Sequence, residues 1–127
     1  MRKNISTNTP SEKRVGYSRA VVINNAMYIS GTTSINEKGQ TIGRATYEQT
    51  MYCFDKIKKV LKQGGFSEKD VVMVTAYLVK IKDISDFDRA FIDHFSHIKP
   101  CCTLVGIKDL VKPDLLVEIE CIAEKEI

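Results

Sequence analysis

Glu118 and Glu120 stand two positions apart in the run Leu115–Ala123, and residues two apart on a β-strand share one face of the sheet. The alternate positions, Leu115, Val117, Ile119, Cys121 and Ala123, form an apolar face, so the two carboxylates share the other face with Leu116 and Ile122. Such a face suits bulk solvent poorly and suits a seam between subunits that holds a small ligand. A carboxylate placed there can take and return a proton. The thiol of Cys102 is a second group with chemical potential. A cysteine becomes a nucleophile when a cation or a helix N-terminus lowers its pKa. The only imidazoles near it in sequence, His94 and His97, fall on a helix end and read as surface positions rather than metal ligands. Cys102 therefore reads as a small space-filling residue. Its neighbour Cys101 points to the opposite strand face, which argues against a shared metal ion. No metal and no other cofactor is expected.

The elements that must position these groups can be read along the chain. Residues 1–14 are polar and without periodicity, so they are expected to be a flexible arm ahead of a single domain over residues 15–127. Arg19–Ile23 and Ala26–Ser30 are β-rich runs on either side of Asn24-Asn25, a hairpin pattern. Asn36-Glu37-Lys38-Gly39 supplies turn chemistry. A helix is predicted from about Thr46 to Gln63, with Met51, Phe54, Ile57, Val60 and Leu61 as its apolar stripe. Thr46 is its expected N-cap, Gln49 completes a capping box, and Gly64-Gly65 is the stop. Lys56, Lys58, Lys59 and Lys62 on this helix read as a solvated face.

Val71–Val79 is apolar almost throughout and rich in β-branched residues, which predicts a central strand covered on both faces. A second helix, about Ile84 to Phe95, carries Phe87, Phe91 and Phe95, and Pro100 breaks the chain after it. The last two strands are predicted over Cys102–Ile107 and Leu115–Ala123. The coarse order is β-β-α-β-α-β, an α+β domain with both helices on one face of a mixed sheet. The other face is still substantially apolar, and a domain this small has nothing left to cover it. A contiguous apolar patch of that kind marks an association surface.

Composition narrows the classes further. At 127 residues, 43% hydrophobic and 28% charged, the chain fits one globular domain. The net charge of +3 is spread along the chain, and Trp is absent. Without a basic, aromatic-lined face, a nucleic-acid partner is not expected. No apolar run approaches the ~20 residues that cross a bilayer, and the first residues lack the apolar stretch of a signal peptide. Four scattered cysteines are too few for a disulfide scaffold. The expectation is a cytoplasmic protein with free thiols and no membrane contact.

Three segments together resemble the Rid family of reactive intermediate imine and enamine deaminases, also called the L-PSP endoribonuclease family. Gly16-Tyr17-Ser18-Arg19-Ala20 is similar to the family's Gly-Pro-Tyr-Ser-Gln-Ala entry segment, with the proline lost. Tyr28-Ile29-Ser30-Gly31 resembles its Ile-Ser-Gly strand end, and Pro113–Ala123 is very similar to its closing strand. The resemblance runs from about Tyr17 to Ala123. It implies a chorismate-mutase-like fold and a homotrimer with small-molecule clefts between subunits. It also implies hydrolysis of enamines and imines such as 2-aminoacrylate, with release of ammonia. Carried over by position, Glu120 is the water-positioning catalytic residue, and Tyr17, Ser30 and Gly31 line the substrate cleft; Glu118 is expected to be a structural ion-pair partner. Where the family has Pro-x-Arg, this chain reads Pro100-Cys101-Cys102, so Cys102 takes the place of the arginine that grips a substrate carboxylate. Asp88 takes the place of a family asparagine. Weak activity on 2-aminoacrylate is therefore expected. Three functions follow: hydrolysis of a small enamine, imine or related C–N compound; a small-ligand-binding module without turnover; and, weakest, ribonuclease activity.

Overall fold

The computed structural model describes residues 1–126. Its elements run β1 (Arg2–Ile5), α1 (Pro10–Val15), β2 (Ala20–Ile23), β3 (Ala26–Thr32), α2 (Thr46–Gln63), β4 (Val71–Leu78), α3 (Ile84–Phe95), β5 (Cys101–Gly106) and β6 (Val117–Glu124). One six-stranded sheet has the order β1-β2-β3-β6-β4-β5. The β4–β5 pair is parallel and every other pair antiparallel, so the sheet is mixed. The α+β reading holds, and the two predicted closing strands form separately, on either side of β4. The difference in order is a further strand and short helix ahead of the hairpin.

The first fourteen residues are not a loose arm. Arg2–Ile5 add to the edge of the sheet in register with Ala20–Ile23. Edge pairing runs through backbone groups, so it needs no apolar periodicity; only Ile5 sends its side chain into the core. In α1, Thr9 is the N-cap and accepts from the Glu12 amide, Pro10 opens the helix, and Gly16 ends it at φ +90°. Glu12 is buried, and its carboxylate accepts from the Ser6, Thr7 and Thr9 hydroxyls and the Thr7 amide.

The hairpin turns at Asn24, φ +53°, as the Asn-Asn pair implies. Both long helices lie over one face, and their apolar stripes meet the inward residues of β3, β4 and β6. Phe54, Ile57, Val60 and Leu61 of α2 and Phe87 and Phe95 of α3 are buried, with Met51 and Phe91 packed against them. Phe54 and Phe95 stack edge to face, centroids 5.1 Å apart. The start of α2 differs from its expected cap. Ala45 is the N-cap, with no side-chain acceptor, and the first turn is held by Glu48, which accepts from the Arg44 and Ala45 amides. Thr46 instead donates to Asp83 ahead of α3. Gln49 is fully buried, donating to the Gly43 and Asp114 carbonyls and accepting from the Leu116 amide. It pins the loop after β3 and the approach to β6 onto α2.

Strand β4 is covered on one face only. Val74, Ala76 and Leu78 are buried under the helices, whereas Met73, Thr75 and Tyr77 look out from the open face. Ile23, Tyr28 and Val105 are substantially exposed on that same side, by strand alternation and register. His94, expected on the surface, is largely buried: its ring lies 5.2 Å from Phe54 and Nδ1 is 2.5 Å from Glu68 Oε2. No group of three or more residues placed to hold a metal ion occurs among the described residues. No helix among them is long and apolar enough to cross a membrane.

Candidate functional site

The open face of the sheet centres on β6, whose alternation places Glu118, Glu120 and Ile122 outward and Val117, Ile119, Cys121 and Ala123 in the core. Glu120 is opposite Thr75, and Glu118 is opposite Tyr77. The Tyr77 hydroxyl reaches diagonally and donates to Glu120 Oε1 at 2.5 Å. That bond pushes the Tyr77 pKa up, helped by burial, because losing the phenolic proton would place two anions together. Glu120 lines a cavity of about 310 Å3 together with Tyr28, Met73, Thr75 and Ile122. One carboxylate, the Tyr28 and Thr75 hydroxyls and apolar side chains make a pocket that can orient a water or a small polar group.

A bulge interrupts the pairing of β3 with β6 between Ile29 and Thr32, where Ser30 and Gly31 stand. Bulges re-aim chain and side chains next to functional sites. The Ser30 hydroxyl donates to the Ser18 carbonyl at 2.7 Å and fixes the bulge to the segment ahead of β2. Gly31 makes a close approach: a Cβ there would lie 2.4 Å from Glu118 Oε2, the end of a flexible side chain. Glu118 makes no ion pair among the described residues, which corrects its expected role as a paired structural carboxylate. Its pKa is raised by burial, opposed by the nearby Arg19 guanidinium and reinforced by Glu120. Arg19 is itself buried, donating from Nη2 to the Gly31 carbonyl at 3.0 Å.

The residues singled out from the sequence fall into three places. Ser30, Gly31 and Glu120 belong to the open face and its bulge. Tyr17 sits beside α1, 40% exposed, with its hydroxyl 2.8 Å from Ser11 Oγ and its ring 5.8 Å from the Arg19 guanidinium carbon. Cys102 is on the other side of the sheet. Its partner across the β4–β5 ladder is Val74, which faces the helices and pairs with Cys121, whereas Thr75 pairs with both Thr103 and Glu120. Cys102 is exposed there because β5 is an edge strand. Although the residue is exposed, its thiol is partly buried; that burial raises its pKa, and the Asp88 carboxylate of α3 adds to the push, so the thiol stays protonated. Cys102 and Asp88 thus neighbour one another, but within one chain the sheet separates them from Glu120. The sequence reading missed Tyr77 and Arg19. Tyr77 sits two positions from Thr75 on a strand that read as buried on both faces, and Arg19 sits in the family's glutamine position.

Comparison with known proteins bears on the same architecture. The model of the family described as Endoribonuclease L-PSP matches residues 7–125. A RutC family protein of Pyrococcus abyssi is 33% identical over 99% of this chain and 100% of its own length. Among solved structures, Rv2704 of Mycobacterium tuberculosis, a member of the YjgF/YER057c/UK114 family, superposes with a TM-score of 0.91. It is 31% identical, with 98% of this chain and 100% of that one covered. YyfA of Yersinia pestis, described as a protein of unknown function of the conserved Rid protein family, gives a TM-score of 0.88 at 31% identity, with the same coverage. The α+β fold and the match along nearly the whole chain place this protein in the Rid, or L-PSP endoribonuclease, family.

Proposed function

We propose that this chain forms a homotrimer whose subunits enclose clefts at the open sheet face, and that each cleft takes a small metabolite and hydrolyses an enamine, imine or related C–N bond. The observation that carries this reading is Glu120: a carboxylate on an apolar face, in a cavity of about 310 Å3, held by the Tyr77 hydroxyl. With Oε1 engaged, Oε2 is left to accept a proton from water. Water adds to the imine carbon and one of its protons passes through the carboxylate to nitrogen, giving a carbinolamine. The carboxylate then takes the hydroxyl proton and returns it to nitrogen as C=O forms and the C–N bond breaks, leaving a carbonyl compound and ammonia. Ser30 and Gly31 shape the same wall. Tyr17, Cys102 and Asp88 join the cleft in this reading as residues of an adjoining copy, since the sheet keeps Cys102 and Asp88 from Glu120 within one chain.

A second reading, a binding module without turnover, is favoured by the charge of the pocket. No cation lines the cavity around Glu120, so a substrate carboxylate would find no partner there, and 2-aminoacrylate is expected to be a poor substrate. Ribonuclease activity has less support, because β6 puts Glu118, Glu120 and Glu124 on the open face and no basic groove lines the Glu120 cavity among the described residues. The four unpaired thiols fit a reducing compartment such as the cytoplasm. The test is ammonia release from a panel of unstable imines by wild type and Glu120→Gln. The enzymatic reading expects release by the wild type and its loss in the variant, with the fold unchanged. Full activity in Glu120→Gln would remove Glu120 from the chemistry. No release from any imine, with metabolite binding that weakens in Glu120→Gln, would favour the binding module.

A further inference from the structure

A second cavity, also about 310 Å3, opens on the helix side between the N-terminal segment, the loop after β3 and α2. Its walls include Thr7, Arg19, Glu37, Tyr52, Lys56 and Lys59. Three of these are cations and one, Glu37, is an anion. Lys56 does not lie on a solvated face: its ammonium donates to the Thr33 and Ile35 carbonyls at 2.8 Å each, which leaves one N–H to spend. Arg19 is only 7% exposed, and its Nε is buried without a hydrogen-bond partner among the described residues. A buried charged donor without an acceptor is costly, and native structures rarely leave one so. The nearby carboxylates do not supply the acceptor: the oxygens of Glu12 are engaged by the hydroxyls of Ser6, Thr7 and Thr9 and the Thr7 amide, and Glu118, near the guanidinium, makes no ion pair with it among the described residues.

We infer that this cavity is a binding site for a small anion, the carboxylate or phosphate group of a metabolite, held by Arg19, Lys56 and Lys59. It is separate from the pocket around Glu120 and does not rest on the activity proposed for that pocket. Its cations converge from two places: Arg19 from just ahead of β2, and Lys56 and Lys59 from adjoining turns of α2. Burial pushes Lys56 below the usual lysine range; Cys53 and Glu12 oppose that, and Arg19 pushes the same way as burial, so an anion in the cavity would favour the charged ammonium. At about 310 Å3 the cavity is at the small end of ligand sites.

The test titrates the full-length protein with inorganic phosphate and, separately, with acetate at constant ionic strength, following backbone amides by NMR. Saturable shifts centred on Thr7, Lys56 and Lys59 are expected with at least one of the two, and the tighter probe identifies the anion class. Lys59 is exposed, so Lys59→Glu should fold normally and weaken binding on the order of fivefold or more. Lys58 is exposed on the same helix but does not line the cavity, so Lys58→Glu applies the same charge change elsewhere and should leave affinity within about twofold. Shifts that rise linearly without saturating, or equal weakening by the two variants, would overturn the site and leave only a general surface field.

Discussion

The Tyr77 hydroxyl donates to Glu120 Oε1 at 2.5 Å, from one strand to the next across the open sheet face. The bond fixes one carboxylate oxygen of a side chain that lines the cavity. It also ties the titration of the phenol to the charge of Glu120, which raises the Tyr77 pKa above its ordinary 10.0. In Glu120→Gln the anionic partner is gone, so the Tyr77 pKa should fall back toward 10.0 in a ring-carbon NMR titration. Tyr77→Phe should keep the fold and weaken turnover or ligand binding on the order of tenfold, because Glu120 loses its orientation. A Tyr77 titration that does not move in Glu120→Gln would separate the two residues functionally.

The open face carries Ile23, Tyr28 and Val105 exposed, beside half-buried Ile122, and a single chain offers nothing to cover them. Light scattering at micromolar concentration should give about three times 14.3 kDa. Ile122→Lys puts an unpaired charge in the middle of that face and should shift the protein toward smaller species. A wild-type monomer would remove the shared cleft from the functional reading.

Two glycines make close approaches of different kinds. At Gly31 the group that an added Cβ would strike is the end of the Glu118 side chain, which can swing away. Gly31→Ala should therefore cost little melting temperature while disturbing the cleft and lowering binding at the Glu120 face. At Gly64 the obstruction is Met27 Sδ at 2.8 Å, and Met27 is fully buried. Gly64→Ala should cost about 1–3 kcal/mol in denaturant unfolding, the usual penalty for overpacking. The opposite ranking of the two stabilities would contradict these contacts.

Strong periodicity was readable before the structure, and weakly patterned polar contacts were not. The α2 stripe, the Phe87, Phe91 and Phe95 ridge and the two faces of β6 come out as the spacing implies, because burial follows the 3.6 and 2.0 repeats directly. The first strand escaped because it is held by backbone pairing at a sheet edge, which leaves little trace in side-chain type. Gln49 looked like half of a capping box, yet it is a buried clamp between distant segments, with partners up to 67 residues away. His94 and Lys56 looked like surface residues because polar type alone says nothing about a ring wedged against Phe54 or an ammonium tied to two carbonyls. At the site, the alternation of Glu118 and Glu120 was legible, whereas the Tyr77 partnership depends on a β4–β6 register that no local pattern encodes.

Glu12 gives the N-terminal segment a signature in acid. Burial would raise its pKa, but the donors from Thr7, Thr9 and Ser6 outweigh that and bring it down from the usual 4.5 to about 2. A carboxyl whose folded pKa is depressed stabilises the fold above its unfolded pKa, and that stabilisation is lost as the pH falls toward the folded value. The contribution should thus be complete at neutral pH and should fade between about 4.5 and about 2. Glu12→Gln keeps the shape but cannot supply the charge, so at pH 7 it should be less stable by about 1–2 kcal/mol, part of the shift being screened near the chain end. The loss should concentrate in faster hydrogen exchange of the amides that pair β1 with β2. As the pH drops through that window, wild type and variant should converge, since protonation does to the wild type what the substitution has already done. A stability difference that stays constant from pH 7 to pH 2 would show that Glu12 acts through packing and not through its charge.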